Sequence, residues 1–234
     1  MLYVYIVMTI LCLISVGLFL VLRTKQANDK SLIAKTFASL VFVAIGVLSL
    51  LKVGSTPVKA MFVLGLVCGL IGDIILDLKI MHPERAKTYF NFGTLMFGLG
   101  HILYFLGVLV LIKGQTVTGF LWMALAALAL SIVMSLMIVK MSPKLKLDMT
   151  GYKWQCGLYS VALNFMMLIS ICLAICWQPI CWIMAAGFTL FLASDLVLSM
   201  QYFGGKEQNK ALIVVNHVLY YVAQILLATF IFFI

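Results

Sequence analysis

Along the chain, hydrophobic runs of about 18 to 22 residues alternate with short polar breaks from one end to the other. An apolar run of that length, wound as a helix, matches the roughly 30 Å hydrocarbon layer of a bilayer. The pattern predicts eight spanning helices at 2–22, 32–51, 59–78, 91–112, 119–139, 157–177, 181–200 and 211–233. The first run has no basic residues before it and no small-residue cleavage site after it, so it reads as a retained span and not a removable signal peptide. The connections are short, and the longest, from Lys140 to Cys156, leaves no room for a soluble domain. The expected architecture is all-α: one integral membrane domain, residues 1–234, built as a polytopic bundle of eight transmembrane helices.

Composition strengthens that reading. Of 234 residues, 65% are hydrophobic and 10% are charged, against about 25% charged in ordinary soluble domains. The net charge of +9 raises nucleic acid as a partner, but its distribution points elsewhere. Thirteen of the sixteen Lys and Arg, Lys35 among them, fall in or beside the odd-numbered loops; Lys52, Lys59 and Lys113 make up the rest. Such a bias predicts cytoplasmic odd loops and both termini on the opposite side. It also gives the cytoplasmic face a surface for anionic lipid. The partner is the lipid bilayer, and nucleic acid is not expected. A bacterial cytoplasmic membrane fits the short loops, as does an internal eukaryotic one. The six cysteines form no CxxC pair and have no histidine at zinc-ligand spacing, so they read as small apolar residues, and no metal or other cofactor is expected.

The chain echoes itself. Gly65 to Leu76 reads GLVCGLIGDIIL and Gly187 to Leu198 reads GFTLFLASDLVL, each with Gly eight residues before Asp and a small residue directly before it. HILYF from His101 matches HVLYY from His217 on the following spans. The echo suggests two parallel four-helix repeats with halves 1–112 and 119–234.

Within the spans, carboxylates carry the information. A charged side chain at the centre of a spanning helix costs about 2.5–3.5 kcal/mol on insertion scales and normally faces a bundle interior or a polar pathway. Asp73 stands six residues before Lys79 and Asp195 six before Gln201, about 9 Å inside each span at 1.5 Å per residue. Both are expected in one layer beneath the cytoplasmic headgroups. Gly65, Gly69, Asp73 and Asp77 recur every four residues, a small-residue stripe that lets a neighbouring helix approach and leads into the carboxylates. Asp77, nearer the interface, is expected to support Asp73 or to be solvated. Complementary polar groups follow: His101 and Tyr104 on span 4, and His217, Tyr220, Tyr221 and Gln224 on span 8. Tyr159 and Asn164 on span 6 either line a pocket or make plain helix contacts. His82, in the loop HPER, reads as solvated. No HExxH, GxSxG or phosphate-binding glycine loop occurs.

Four motifs in order, GDIIL from Gly72, FGTLMFGLGHILY within Phe90 to Tyr104, SDLVL from Ser194 and YYVAQ from Tyr220, together resemble the YhhN-like lysoplasmalogenase family across nearly the whole chain. Spans 1, 2 and 5 match in hydrophobicity alone. The proline that the family tends to show shortly before the tyrosine equivalent to Tyr159 is missing, and His217 has no clear counterpart. The resemblance implies a lysophospholipid substrate, whose vinyl ether bond is hydrolysed to a fatty aldehyde and glycerophosphocholine or glycerophosphoethanolamine. That chemistry needs a carboxylic acid that keeps its proton near neutral pH and a second group to handle water; burial and a neighbouring carboxylate both favour such a state, as in glycosidases working through oxocarbenium-like states. Asp73 and Asp195 are then the expected acid/base pair. His101, Tyr104, Tyr220, Tyr221 and Gln224 would orient water and the ether oxygen, with Asp77, Ser194, Asn164 and Tyr159 around the substrate. Lys79 and Arg85 would meet the phosphate at the cytoplasmic mouth. Two rival readings stay open from the residues alone: a proton-coupled small-solute transporter, for which paired intramembrane carboxylates are also a signature, and a non-catalytic lipid-binding protein. The four prolines are expected in loops, leaving no span broken as transporter spans often are.

Overall fold

Apolar runs of this length satisfy their backbone groups internally only as helices. The chain does so throughout. A computed structural model describes residues 2–234, less the side chains of Leu2, Lys52 and Val53; Lys52, one of the three basic residues of the even loops, therefore lies outside the described side chains. Eight helices are present among the described residues: α1 (Leu2–Lys25), α2 (Asp29–Val53), α3 (Pro57–Met81), α4 (Ala86–Leu111), α5 (Phe120–Met141), α6 (Lys153–Cys176), α7 (Cys181–Tyr202) and α8 (Lys210–Phe233), with a single 3-10 turn at Pro83–Arg85. All eight are long and apolar enough to cross a membrane, and the protein is an integral, multi-pass membrane protein.

Local signals set the helix starts. Asn28 and Ser31 form a reciprocal capping box that begins α2, satisfying amides that no preceding turn can reach. Thr56 caps α3, and Pro57 occupies its first turn, where a missing N–H removes nothing. The expectation that every proline lies in a loop is corrected at this residue: Pro57 opens a span, though it does not break one.

Two compact units emerge. The first comprises the residues up to Gly107 with Leu227–Ile234; the second comprises Val108–Leu226. These units do not coincide with the repeat halves expected from the sequence, 1–112 and 119–234, since Leu227–Ile234 belongs to the first unit. In the first unit α2 packs between α1 and α3, and α3 meets α4 through glycines. A Cβ on Gly65 would stand 2.4 Å from the Tyr104 ring, one on Gly72 2.7 Å from the Phe97 ring, and one on Gly93 2.6 Å from Leu76. These absences of side chain allow the two backbones their close approach. In the second unit α6 packs between α5 and α7, and Ser194 of α7 donates to Asn216 of α8 at 2.8 Å. The α5–α6 connection folds back on itself, burying Leu147 and Met149, with the Asp148 amide bonded to the Phe203 carbonyl at 2.7 Å.

The burial pattern is inverted relative to a soluble protein. Large apolar side chains such as Ile14, Leu18, Trp122 and Leu136 point outward, while Lys35, Ser39, Asp73, Asp77, Asn164 and Gln224 are buried. Outward apolar groups suit lipid, and inward polar groups mark what the helices were brought together to hold.

Candidate functional site

In the first unit the polar interior is built by α2 and α3. Asp73 is 3% exposed and Asp77 is 2% exposed. Ser39 of α2 donates to Asp73 Oδ2 at 2.6 Å. Lys35, one turn earlier on α2, donates to Asp77 Oδ1 at 3.0 Å. Its Nζ also lies 3.5 Å from Asp73 Oδ1 and 3.4 Å from the Asp73 carbonyl. Because residues i and i+4 share a helix face, Lys35 and Ser39 on one helix meet Asp77 and Asp73 on the other in antiparallel order.

Two expectations change here. Asp77 is not solvated: it is the nearer partner of a buried lysine. Lys35 is not a loop-edge charge that only sets topology, since it is 5% exposed inside α2. The signal was in the sequence, because Lys35 lies within the expected span 32–51 and not beside it. Ser39 was missed for a plainer reason: serines are common in spans, and nothing local singles this one out.

The small-residue stripe also behaves differently from expectation. Four residues of α-helix turn about 400°, so an every-fourth stripe advances about 40° per step. Gly65 meets Tyr104 of α4, whereas Asp73 and Asp77 have wound round to α2. Gly65, Gly72 and Leu76, which do share one direction, make the α3–α4 face.

That face gives the register of His101 and Tyr104. Pairing of Gly65 with Tyr104 and of Gly72 with Phe97 sets Tyr104 eight residues, about 12 Å, deeper than Asp73, and His101 about 7 Å deeper, at 1.5 Å per residue. Side chains lean toward the N-terminus of their helix, which on α4 is the direction of Asp73, so the gap narrows. His101 Nδ1 meets the Phe97 carbonyl at 2.8 Å; a carbonyl only accepts, so Nδ1 carries a proton. Its edge meets the Tyr104 ring, with centroids 6.2 Å apart.

In the second unit Tyr159 of α6 donates to Asp195 Oδ2 at 2.5 Å, and Asp195 is half-buried. The structure thus brings together the two residues that sequence had separated by 36 positions. Ser194, buried beside Asp195, bonds Asn216, a residue that sequence reasoning missed. Tyr220 stacks edge-on against Phe191 at 5.4 Å and against Tyr221 at 5.2 Å. His217 bonds the Ile213 carbonyl at 2.7 Å. By the Ser194–Asn216 pairing His217 is level with Ser194, whereas Gln224 lies about two and a half turns deeper than Asp195. Gln224 is fully buried, and among the described residues neither atom of its amide has a hydrogen-bond partner. Asn164 donates to Ser160 and, at 3.4 Å, to Ser135 of α5; its amide nitrogen makes the plain helix contact.

In the last turn of α3, Lys79 is half-buried with Nζ 6.0 Å from the Phe90 ring centre, and Arg85 is exposed in the 3-10 turn that follows. His82 is exposed and faces Glu84 at 3.4 Å. Among the described residues no group of three His, Cys, Asp or Glu comes together to hold a metal ion.

Against known proteins, the model of the YhhN family matches residues 30–231, from the first turn of α2 to near the end of α8. Searches of curated proteins and of solved structures each found no match.

Proposed function

The chain belongs to the YhhN family, known as a family of lysoplasmalogenases, and from that premise we propose that it is an intramembrane hydrolase of the lysoplasmalogen vinyl ether bond. The observation that carries the reading is the pair of carboxylates inside spans, Asp73 and Asp195, each gripped by a hydroxyl of the preceding helix. Chemistry follows from the bond. A carboxyl group gives its proton to the β-carbon of the vinyl ether, R–CH=CH–O–R′, leaving an oxocarbenium ion, R–CH₂–CH=O⁺–R′. Water adds to the carbon bearing oxygen as a carboxylate takes one of its protons. The hemiacetal R–CH₂–CH(OH)–O–R′ then collapses to the aldehyde R–CH₂–CHO and the alcohol HO–R′. Asp73 and Asp195 are the proposed acid/base residues. Positioned acid/base groups contribute about 10²- to 10⁴-fold to rate.

Depth supports the assignment. A vinyl ether lies just below the headgroup, and each aspartate stands about 9 Å inside its span. With the odd loops cytoplasmic, Lys79 and Arg85 meet the phosphate. His101, Tyr104, Tyr220, Tyr221 and Gln224 serve the ether oxygen, water and the upper alkenyl chain. The buried Gln224 amide needs a partner that the described residues do not supply.

The test is release of fatty aldehyde from a defined lysoplasmalogen by the purified protein in mixed micelles. Asp73→Asn and Asp195→Asn are each expected to lower turnover at least about a hundredfold. Near-normal turnover in both variants would sink the reading. One observation favours a second reading: the intramembrane Lys35–Asp77 pair is also suited to proton-coupled solute transport. Solute counterflow in proteoliposomes, with no aldehyde released, would select it.

A further inference from the structure

Lys35 has no part in the chemistry as drawn, yet it is a buried charge with contacts to two acidic residues. A lysine buried in a spanning helix is expensive unless paired, and this one reaches two carboxylates and a backbone carbonyl at once. We propose that Lys35 is a positioning residue for Asp73: anchored by Asp77, its ammonium and the Ser39 hydroxyl together fix the two oxygens of the Asp73 carboxylate.

The geometry assigns the parts. Asp77 takes the shorter contact, 3.0 Å, and so holds Nζ in place. From that anchor Nζ stands 3.5 Å from Asp73 Oδ1 and 3.4 Å from the Asp73 carbonyl, tying it to the side chain and to the backbone that carries it. Ser39 meets the other oxygen, Oδ2, at 2.6 Å. A carboxylate contacted on both oxygens by groups from a neighbouring helix cannot rotate about its last bond without losing one of them. A topology-setting lysine needs only to sit near the interface, and an ion pair that merely joins two helices needs only Asp77. The contacts to Asp73 are what neither role requires.

This inference rests on the proposed vinyl ether hydrolysis, and the variants separate the two. Lys35→Met, Lys35→Arg and the double variant Lys35→Met/Asp77→Asn are purified as whole chains, and aldehyde release from a lysoplasmalogen is measured per folded, monodisperse molecule. The double variant guards against misfolding, since it removes both charges of the anchoring pair. The expected result is a kcat about a hundredfold lower in Lys35→Met and in the double variant, with KM within about twofold, as for a loss of alignment and not of binding. Lys35→Arg, which keeps the charge and a donor, should recover part of kcat. Should the double variant regain wild-type kcat, Lys35 only neutralises Asp77 and the inference falls, while the hydrolase reading stands. A loss confined to KM or to the yield of folded protein also overturns it. If the wild-type protein releases no aldehyde, the hydrolase reading falls, and the part given to Lys35 falls with it.

Discussion

On α3 and α7 an aspartate follows a small residue six positions before a polar terminus, and each accepts a hydrogen bond from a hydroxyl one helix earlier in the chain. Ser39 serves Asp73 and Tyr159 serves Asp195. Beyond that shared skeleton the two units part. One turn along α3 stands Asp77, and opposite it Lys35; the corresponding places in the second unit hold Ser199, bonded back to its own helix at Leu196, and Gln155. The following helices differ too: His217 is level with the residue before Asp195, whereas His101 lies about 7 Å deeper than Asp73 by register. The HILYF and HVLYY motifs, alike in letters, therefore stand about a turn apart relative to their aspartates. What recurs is the hydroxyl grip on a carboxylate. What distinguishes the first unit is a buried charge pair laid over it.

That difference predicts unequal stability. Removing one partner of a buried ion pair strands the other charge, at about 3–5 kcal/mol. Removing a neutral hydroxyl from inside a membrane bundle costs about 1 kcal/mol. Lys35→Met is thus expected to destabilise the protein several times more than Tyr159→Phe in detergent unfolding by SDS. Adding Asp77→Asn to the former should return part of the loss, because the stranded carboxylate goes with it. Equal losses in Lys35→Met and Tyr159→Phe would mean that the charged and neutral grips are energetically alike, and the contrast between the units would vanish.

The same contrast explains what the sequence could and could not convey. Span number, and span limits to within a few residues, follow from hydropathy because lipid leaves the backbone one solution. Asp73 and Asp195 announced themselves, since a carboxylate in an apolar run has no bland reason to be there. Partnership did not follow as easily. Tyr159 and Asp195 are 36 positions apart, and which face of α6 meets α7 is a matter of packing. Lys35 was legible in principle, lying inside a span, but grouped with twelve other basic residues in or beside the odd-numbered loops it read as one more topology signal. The glycine stripe misled through its period: every-fourth spacing drifts about 40° per step, so its first member serves α4 and its last two serve α2.

Glycine sharpens the comparison at smaller energies. Gly65 is where α3 meets Tyr104, and a Cβ there would fall within 2.4–2.8 Å of three ring atoms. Gly65→Ala must push a fully buried tyrosine out of its place, which is expected to destabilise by about 1–3 kcal/mol and to move the lining beneath Asp73. Thermal unfolding and aldehyde release should therefore fall together. A variant that loses neither would mean that the α3–α4 contact has slack to give.

Gly157, in the second turn of α6, is the counterpart that tests whether close approach is general. A Cβ added there meets only Val139 Cγ2, at 3.7 Å, an ordinary van der Waals distance with nothing to displace. Glycine in a helix interior is disfavoured by about 0.5–1 kcal/mol relative to alanine, so Gly157→Ala should leave stability unchanged or raise it by up to about that amount. The opposite signs expected at Gly65 and Gly157 come from one physical distinction, whether a side chain already occupies the place a methyl would take. If Gly157→Ala instead destabilises in the same SDS titration, α5 and α6 pack more tightly than a 3.7 Å contact describes. The first unit would then lose its claim to the closer helix packing.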